Sequence, residues 1–215
     1  MQDNRIQLAL GLIVLLALIA SGIAPYDRGT WLLEVAPVLI AFPLLLWSQQ
    51  RFALTRLLYV VIALHALVLI LGGAYSYARV PPGCWVQEWF DLDRNPYDKL
   101  GHLIQGITPT LLTREILLRR RFIAAGTMLG FLSLCVALAF SAFYELIEWW
   151  VALAAGAGAE DFLGTQGDPW DTQSDMFMAL LGALLSVTWL ARVQDWQLAS
   201  RSDIAPTTHS GFGKS

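Results

Sequence analysis

The chain has 215 residues, 56% of them hydrophobic and 14% charged, with a mean hydropathy of +0.55 and a formal net charge of −3. A soluble domain is about a quarter charged. The apolar residues here also fall in long unbroken runs, so the composition excludes an ordinary soluble domain and describes an integral membrane protein. The acidic balance leaves no footprint for nucleic acid. The cysteines Cys84 and Cys135 stand too far apart for a zinc motif or a disulfide framework.

Taken in order, the runs predict an all-α fold, a polytopic membrane bundle of about six transmembrane helices. The first covers residues 6–24; its lone basic residue Arg5 and poor cleavage signal favour a membrane helix over a signal peptide. The second, 31–47, has Trp31 and Trp47 at its ends and carries Pro37 and Pro43, which should kink it. The third, 54–74, holds His65 at mid-depth. A polar, aromatic loop is expected over 75–95. The fourth span, 96–118, is the least apolar, and its Asp98, His102, Gln105 and Pro109 form one stripe that must face other helices. The fifth, 122–150, exceeds the roughly 20 residues a bilayer needs. A small-residue loop over 153–168 precedes the sixth span, 169–193. Residues 1–195 read as a single transmembrane domain and 196–215 as a polar, disordered cytoplasmic tail.

With six spans both termini share a side. Arg5, Arg51, Arg56, Arg114, Arg119, Arg120, Arg121, Arg192, Arg201 and Lys214 fall on that side, and only Arg28, Arg79, Arg94 and Lys99 opposite. The asymmetry predicts cytoplasmic termini. Arg119-Arg120-Arg121 is a topology signal first and an anionic-lipid contact second.

Two passages share a grammar. Gly167-Asp-Pro-Trp-Asp-Thr-Gln-Ser-Asp175 opens the last span, with Asp168 as a natural N-cap and Pro169 as a first helical residue. Asn95-Pro96-Tyr97-Asp98 opens the fourth in the same way, and His102 follows Asp98 by four residues as Asp175 follows Asp171. Glu145 and Glu148 lie three apart on the fifth span. All three pairs should converge near the outer face. The plain reading makes them caps, helix-dipole partners and a structural hydrogen-bond cluster. Glu34, near the start of the second span, reads as an interfacial charge or an added ligand. Trp85, Trp89, Trp149 and Trp150 read as an aromatic belt or a lipid-headgroup platform.

Asp98, Glu145, Glu148, Asp171 and Asp175 cannot all stay ionised side by side without a counter-charge. Shared protons, Lys99 or Arg94, or a bound cation would each supply it. Oxygen ligands with the His102 imidazole suit a divalent cation, so His102, Glu145, Glu148, Asp98, Asp171 and Asp175 are the candidate metal ligands. His102 and Glu145 are the candidate catalytic bases.

At Asp98-Lys-Leu-Gly-His102, Phe143-Tyr-Glu-Leu-Ile-Glu-Trp-Trp150 and Gly164-Thr-Gln-Gly-Asp-Pro-Trp-Asp-Thr-Gln-Ser-Asp175 the chain resembles the YjdF family of bacterial inner-membrane proteins over most of its length. More weakly, Asp98-Lys99, His102, Glu145 and Asp171 to Asp175 are similar in order to the VanZ-like membrane proteins. The resemblance implies the cytoplasmic membrane of a bacterium and supplies no activity. Three functions remain open. One is a cation-stabilised site acting on a lipid or envelope intermediate. Another is a proton- or cation-coupled transporter, for which the inner half offers few polar groups. The third is a scaffold locked by its polar cluster. Membrane lipids are the expected partners.

Overall fold

A computed structural model describes residues 2–156 and 160–201, and every regular element among them is helical. Long apolar segments take this form because a helix satisfies its own backbone hydrogen bonds where no water can. The elements are α1 (Gln2–Ile23), α2 (Arg28–Ser48), α3 (Arg56–Tyr75), a 3-10 turn (Tyr77–Arg79), α4 (Pro81–Phe90), α5 (Tyr97–Arg119), α6 (Thr127–Ala155), α7 (Glu160–Leu163), α8 (Asp171–Leu185), a π turn (Ser186–Leu190) and α9 (Ala191–Ala199). Among the described residues five helices are long and apolar enough to cross a membrane, the last being the continuous run of α8, the π turn and α9. The 23 residues of α5 would reach about 34 Å at the usual rise. Its charged and polar residues keep it from qualifying on composition, and they are the reason it occupies the middle of the bundle.

Connections place the ends. The amide of Tyr26, between α1 and α2, donates to the Ala74 carbonyl at the end of α3. At the opposite end the Arg119 and Arg201 guanidiniums donate to the Ala53 carbonyl between α2 and α3, each at 2.7 Å. The end of α5, the end of α9 and the α2–α3 turn therefore share one end of the bundle, the terminal end. Residues 76–96 and 164–170 share the other, the site end.

α8 lies closest to α5. A Cβ added at Gly106 would run into the Ala179 carbonyl, and one at Gly182 into the Leu103 carbonyl. Small residues let two backbones approach in this way. Apolar cores flank the pair: Val14, Val35, Val38, Ala66 and Ile70 join α1, α2 and α3, and Leu58, Val61 and Leu111 join α3 to α5.

At the terminal end Glu115 is wholly buried and accepts hydrogen bonds from the Thr55 amide and hydroxyl, from Arg119 and from Gln194. Arg114 beside it donates to Gln194 and to both Asp195 oxygens at 3.0 Å. This network ties the start of α3 to α5 and α9.

Several boundaries differ from the sequence expectation. The loop over 75–95 contains α4, started by Pro81 and Pro82 in its first turn and ended by Asp91 in the left-handed region. The fifth span begins at Thr127 rather than residue 122 and runs past residue 150 to Ala155. The last helix passes the expected domain boundary at 195 and ends at Ala199, so residues 196–199 are helical rather than tail. Of the expected tail, residues 202–215 lie outside the described residues.

Candidate functional site

Neither Asx-Pro passage makes the expected cap: α5 starts at Tyr97 with Pro96 in the N-cap position and α8 at Asp171 with Trp170 there, so Asn95 and Asp168 stand before the helices and close short turns that lead into them. The Asn95 side chain accepts from the Tyr97 amide at 3.0 Å, and Asp168 from the Trp170 amide at 2.8 Å. The two are not equivalent. Asp168 is partly exposed, whereas Asn95 is wholly buried and its amide also donates to the carbonyls of Ala78 and Val80. The Gln166 side chain then accepts from the Asn95 amide and donates to the Asn95 carbonyl, holding the segment before α8 against the start of α5. Gly164, Gln166 and Gly167 all have positive φ in this segment, which explains the two glycines of the motif.

Asp98 and Asp171 fall in the first turns of α5 and α8, and both are buried, as are His102, Asp175 and Glu145. Lys99 reaches across from α5 to α8. Its ammonium lies 3.0 Å from Asp171 and 2.6 Å from Asp175 and also donates to the Ser174 hydroxyl. Arg94 donates to Asp171 and to the Thr165 carbonyl. Burial works against the Arg94 charge, but the hydrogen bond and charge of Asp171, with Asp98 and Asp168 nearby, outweigh it and hold the guanidinium above its ordinary range. The protein thus provides its own counter-charge for Asp171 and for one oxygen of Asp175.

A different arrangement surrounds His102. Its Nδ1 lies 2.8 Å from the Gln105 side-chain amide, and the tautomer of the ring decides the direction of that bond. Nε2 faces Asp98 at 3.5 Å and the second Asp175 oxygen at 3.9 Å. A bare lone pair pointing at two carboxylates is unfavourable. A ring proton, a carboxyl proton or a cation between them relieves it. On the other side of the ring the Glu145 Oε1 lies 3.9 Å from Nδ1. That oxygen is buried with no hydrogen-bond partner, and so is the Ser141 hydroxyl one turn earlier on α6.

Asp98, His102 and Asp175 offer ligand atoms within 4.8 Å of one another, and so do His102, Glu145 and Glu148. The six expected ligands therefore divide into two groups sharing His102, with Asp171 outside both and committed to Arg94 and Lys99. Glu34 is turned into the protein rather than outward. It is 2% exposed inside the bundle and accepts from Tyr144 at 3.4 Å, while Tyr144 packs edge-on against the His102 ring. The tyrosines Tyr77 and Tyr144 escaped the sequence reading because nothing in their spacing separates them from belt aromatics. Ser174 and Gln166 escaped it because their partners lie over 70 residues away.

The residues so arranged bear a family likeness. The chain is 60% identical over 183 residues to the inner membrane protein YjdF of Escherichia coli (strain K12), spanning 85% of this chain and 88% of that one. No solved structure matches. The family described as "Predicted membrane protein (DUF2238)" matches residues 6–196. By both comparisons the chain belongs to that family of membrane proteins, the one that includes YjdF.

Proposed function

We propose that the protein is a bacterial inner-membrane protein with cytoplasmic termini, whose site end faces the periplasm and uses a divalent cation at His102, Glu145 and Glu148 to act on a lipid or envelope intermediate. The supporting observation is the Glu145 Oε1: a carboxylate oxygen buried beside an imidazole with no donor among the described residues. A buried charge of this kind is expensive unless something supplies positive charge. Lys99 and Arg94 are already held by Asp171 and Asp175. A bound cation would polarise a phosphoryl or carbonyl oxygen of a substrate. Of the protein's own groups, the Glu145 oxygen and the His102 nitrogen that lie off the cation are placed to take a proton, Tyr144 and Gln105 orient the ring, and Lys99 fixes α5 against α8 so that the ligands keep their spacing.

The scaffold reading has its own support in Lys99, which sits between Asp171 and Asp175 as a structural pin. The transporter reading has less, because the hydroxyls of Thr108 and Thr110, which follow Gln105 on α5, donate back to their own helix at Ile104 and Gly106. Elemental analysis of the detergent-purified protein, paired with thermal unfolding of wild type and Glu145→Gln with and without chelator, separates these readings. A cation site predicts stoichiometric divalent metal, a chelator-induced fall in the wild-type Tm, and no such fall in the variant. A scaffold predicts no metal, no chelator effect, and a variant at least as stable as wild type because a buried lone carboxylate has gone.

A further inference from the structure

Away from the site, consecutive helices α1 and α2 are held together near the site end. Near the site end the Trp31 indole donates to Ser21 at 2.9 Å and lies over Gly22. Toward the terminal end they part, and the α2 residues that line the gap begin at Val38, directly after the helix-breaking Pro37. The result is a cleft of about 490 Å³ between α1 and α2, walled by Leu8, Leu12, Leu15, Phe42 and Leu46, with α3 closing the back of an adjoining hollow. Gly11 forms part of the floor, and a Cβ there would meet only the Phe42 ring at 3.9 Å. The polar residues Gln7, Gln49 and Gln50 lie at the mouth.

The mouth is also cationic. Gln7 belongs to a neighbouring hollow lined by Arg56 and Arg201. Arg51 stands in the turn beside Gln49 and Gln50, over the Trp47 ring, whereas the charge of Arg119, at the Ala53 carbonyl, is taken up by Glu115. An apolar slot at membrane depth that ends in guanidiniums and side-chain amides matches one kind of molecule, a lipid with an anionic head. We infer that this cleft is a binding site for an anionic glycerophospholipid, with one acyl chain between α1 and α2 and the phosphate at Arg51 and Arg56. Acyl burial supplies affinity in proportion to the methylenes removed from competition, and the arginines supply selectivity for the headgroup. The site is independent of the carboxylate cluster at the other end of the bundle and of any activity there.

The test is native mass spectrometry of the full chain in detergent, titrated with palmitoyl-oleoyl phosphatidylglycerol, with phosphatidylcholine of the same chains, and with soluble glycerophosphate. One tightly bound phosphatidylglycerol is expected. Arg51→Gln and Arg56→Gln should each narrow its preference over phosphatidylcholine by about fivefold. Gly11→Leu should weaken both lipids by filling the floor, and Leu46→Phe should do the same from the opposite wall, so that a folding defect in one variant does not decide the matter. Equal binding of the two lipids, or undiminished binding in both filled variants, overturns the site. Full competition by glycerophosphate would show a phosphate site with no place for the chain and overturns it equally.

Discussion

Glu145 and Glu115 are both carboxylates inside the bundle, and their surroundings make opposite demands. Glu115 is fully satisfied by Thr55, Arg119 and Gln194, with the Arg119 ion pair at 3.0 Å. Glu145 has an oxygen with no donor. Neutralising the first removes a paired charge and turns an acceptor into a donor facing donors. Glu115→Gln should therefore lower stability by on the order of 3 kcal/mol, the usual result of breaking a buried pair from one side. Asp195→Asn, at a side chain 51% exposed, keeps an acceptor for Arg114 and should change it by less than about 1 kcal/mol. Thermal unfolding of both variants in detergent checks the contrast, and a silent Glu115→Gln would show that the network does not hold α3 to α5. The sequence marked Asp98, His102, Glu145 and Asp175 through helical spacing alone, because a charge a full turn inside an apolar run is conspicuous. It could not show that Lys99 would be shared by Asp171 and Asp175, nor that Glu34 would be buried beside Tyr144, since those pairings depend on how α2, α6 and α8 are placed around α5.

At the scale of elements, the pairing of α5 with α8 rests on glycine more than on the carboxylates. Gly106 faces the Ala179 carbonyl and Gly182 faces the Leu103 carbonyl, so each helix presses backbone to backbone against the other. Alanine is the better helix former by about 1 kcal/mol. Here a new methyl meets a rigid carbonyl rather than open space, so Gly106→Ala and Gly182→Ala should both lower the Tm. Gly130→Ala in α6, where nothing lies within 4 Å of an added Cβ, should leave the Tm unchanged or raise it. The repeated Asx-Pro turns offer a second contrast. Asp168→Ala, which loses an exposed turn hydrogen bond from the Trp170 amide and a 3.5 Å ion pair with Arg94, should cost about 1 kcal/mol. Asn95→Ala should cost more, because the Val80 carbonyl and the Tyr97 amide lose a partner in a buried setting. Equal effects in unfolding measurements would mean that Asn95 only closes its turn. The near-repeat was legible because an Asx-Pro turn is local grammar. The extra role of Asn95 was not, since it depends on the turn around residues 78–80 folding back onto the start of α5.

For the whole molecule the central question is which way the bundle faces. Arg51 in the α2–α3 turn, Arg56 at the start of α3, Arg114 and Arg119 in the last turns of α5, Arg120 and Arg121 in the α5–α6 connection, Arg192 in α9 and Arg201 just after it all lie at the terminal end, while Arg28, Arg79, Arg94 and Lys99 belong to the site end. Not all of these residues are free to report topology. Arg94 and Lys99 are bound to Asp171 and Asp175, and Arg114 to Asp195, so their positions also serve packing. Arg120 and Arg121 are exposed in the α5–α6 connection and carry the topological signal most directly. The measurement uses single cysteines in a chain whose Cys84 and Cys135 have been replaced by serine and alanine. Glu88→Cys in α4 and Gln50→Cys in the α2–α3 turn are both exposed positions at opposite ends. In intact spheroplasts a membrane-impermeant maleimide should modify Glu88→Cys and leave Gln50→Cys unreacted until the membrane is opened. The reverse pattern would put the carboxylate cluster on the cytoplasmic face. It would remove the envelope role whatever metal the site holds, and the cleft between α1 and α2 would then have to draw its anionic lipid from the outer leaflet.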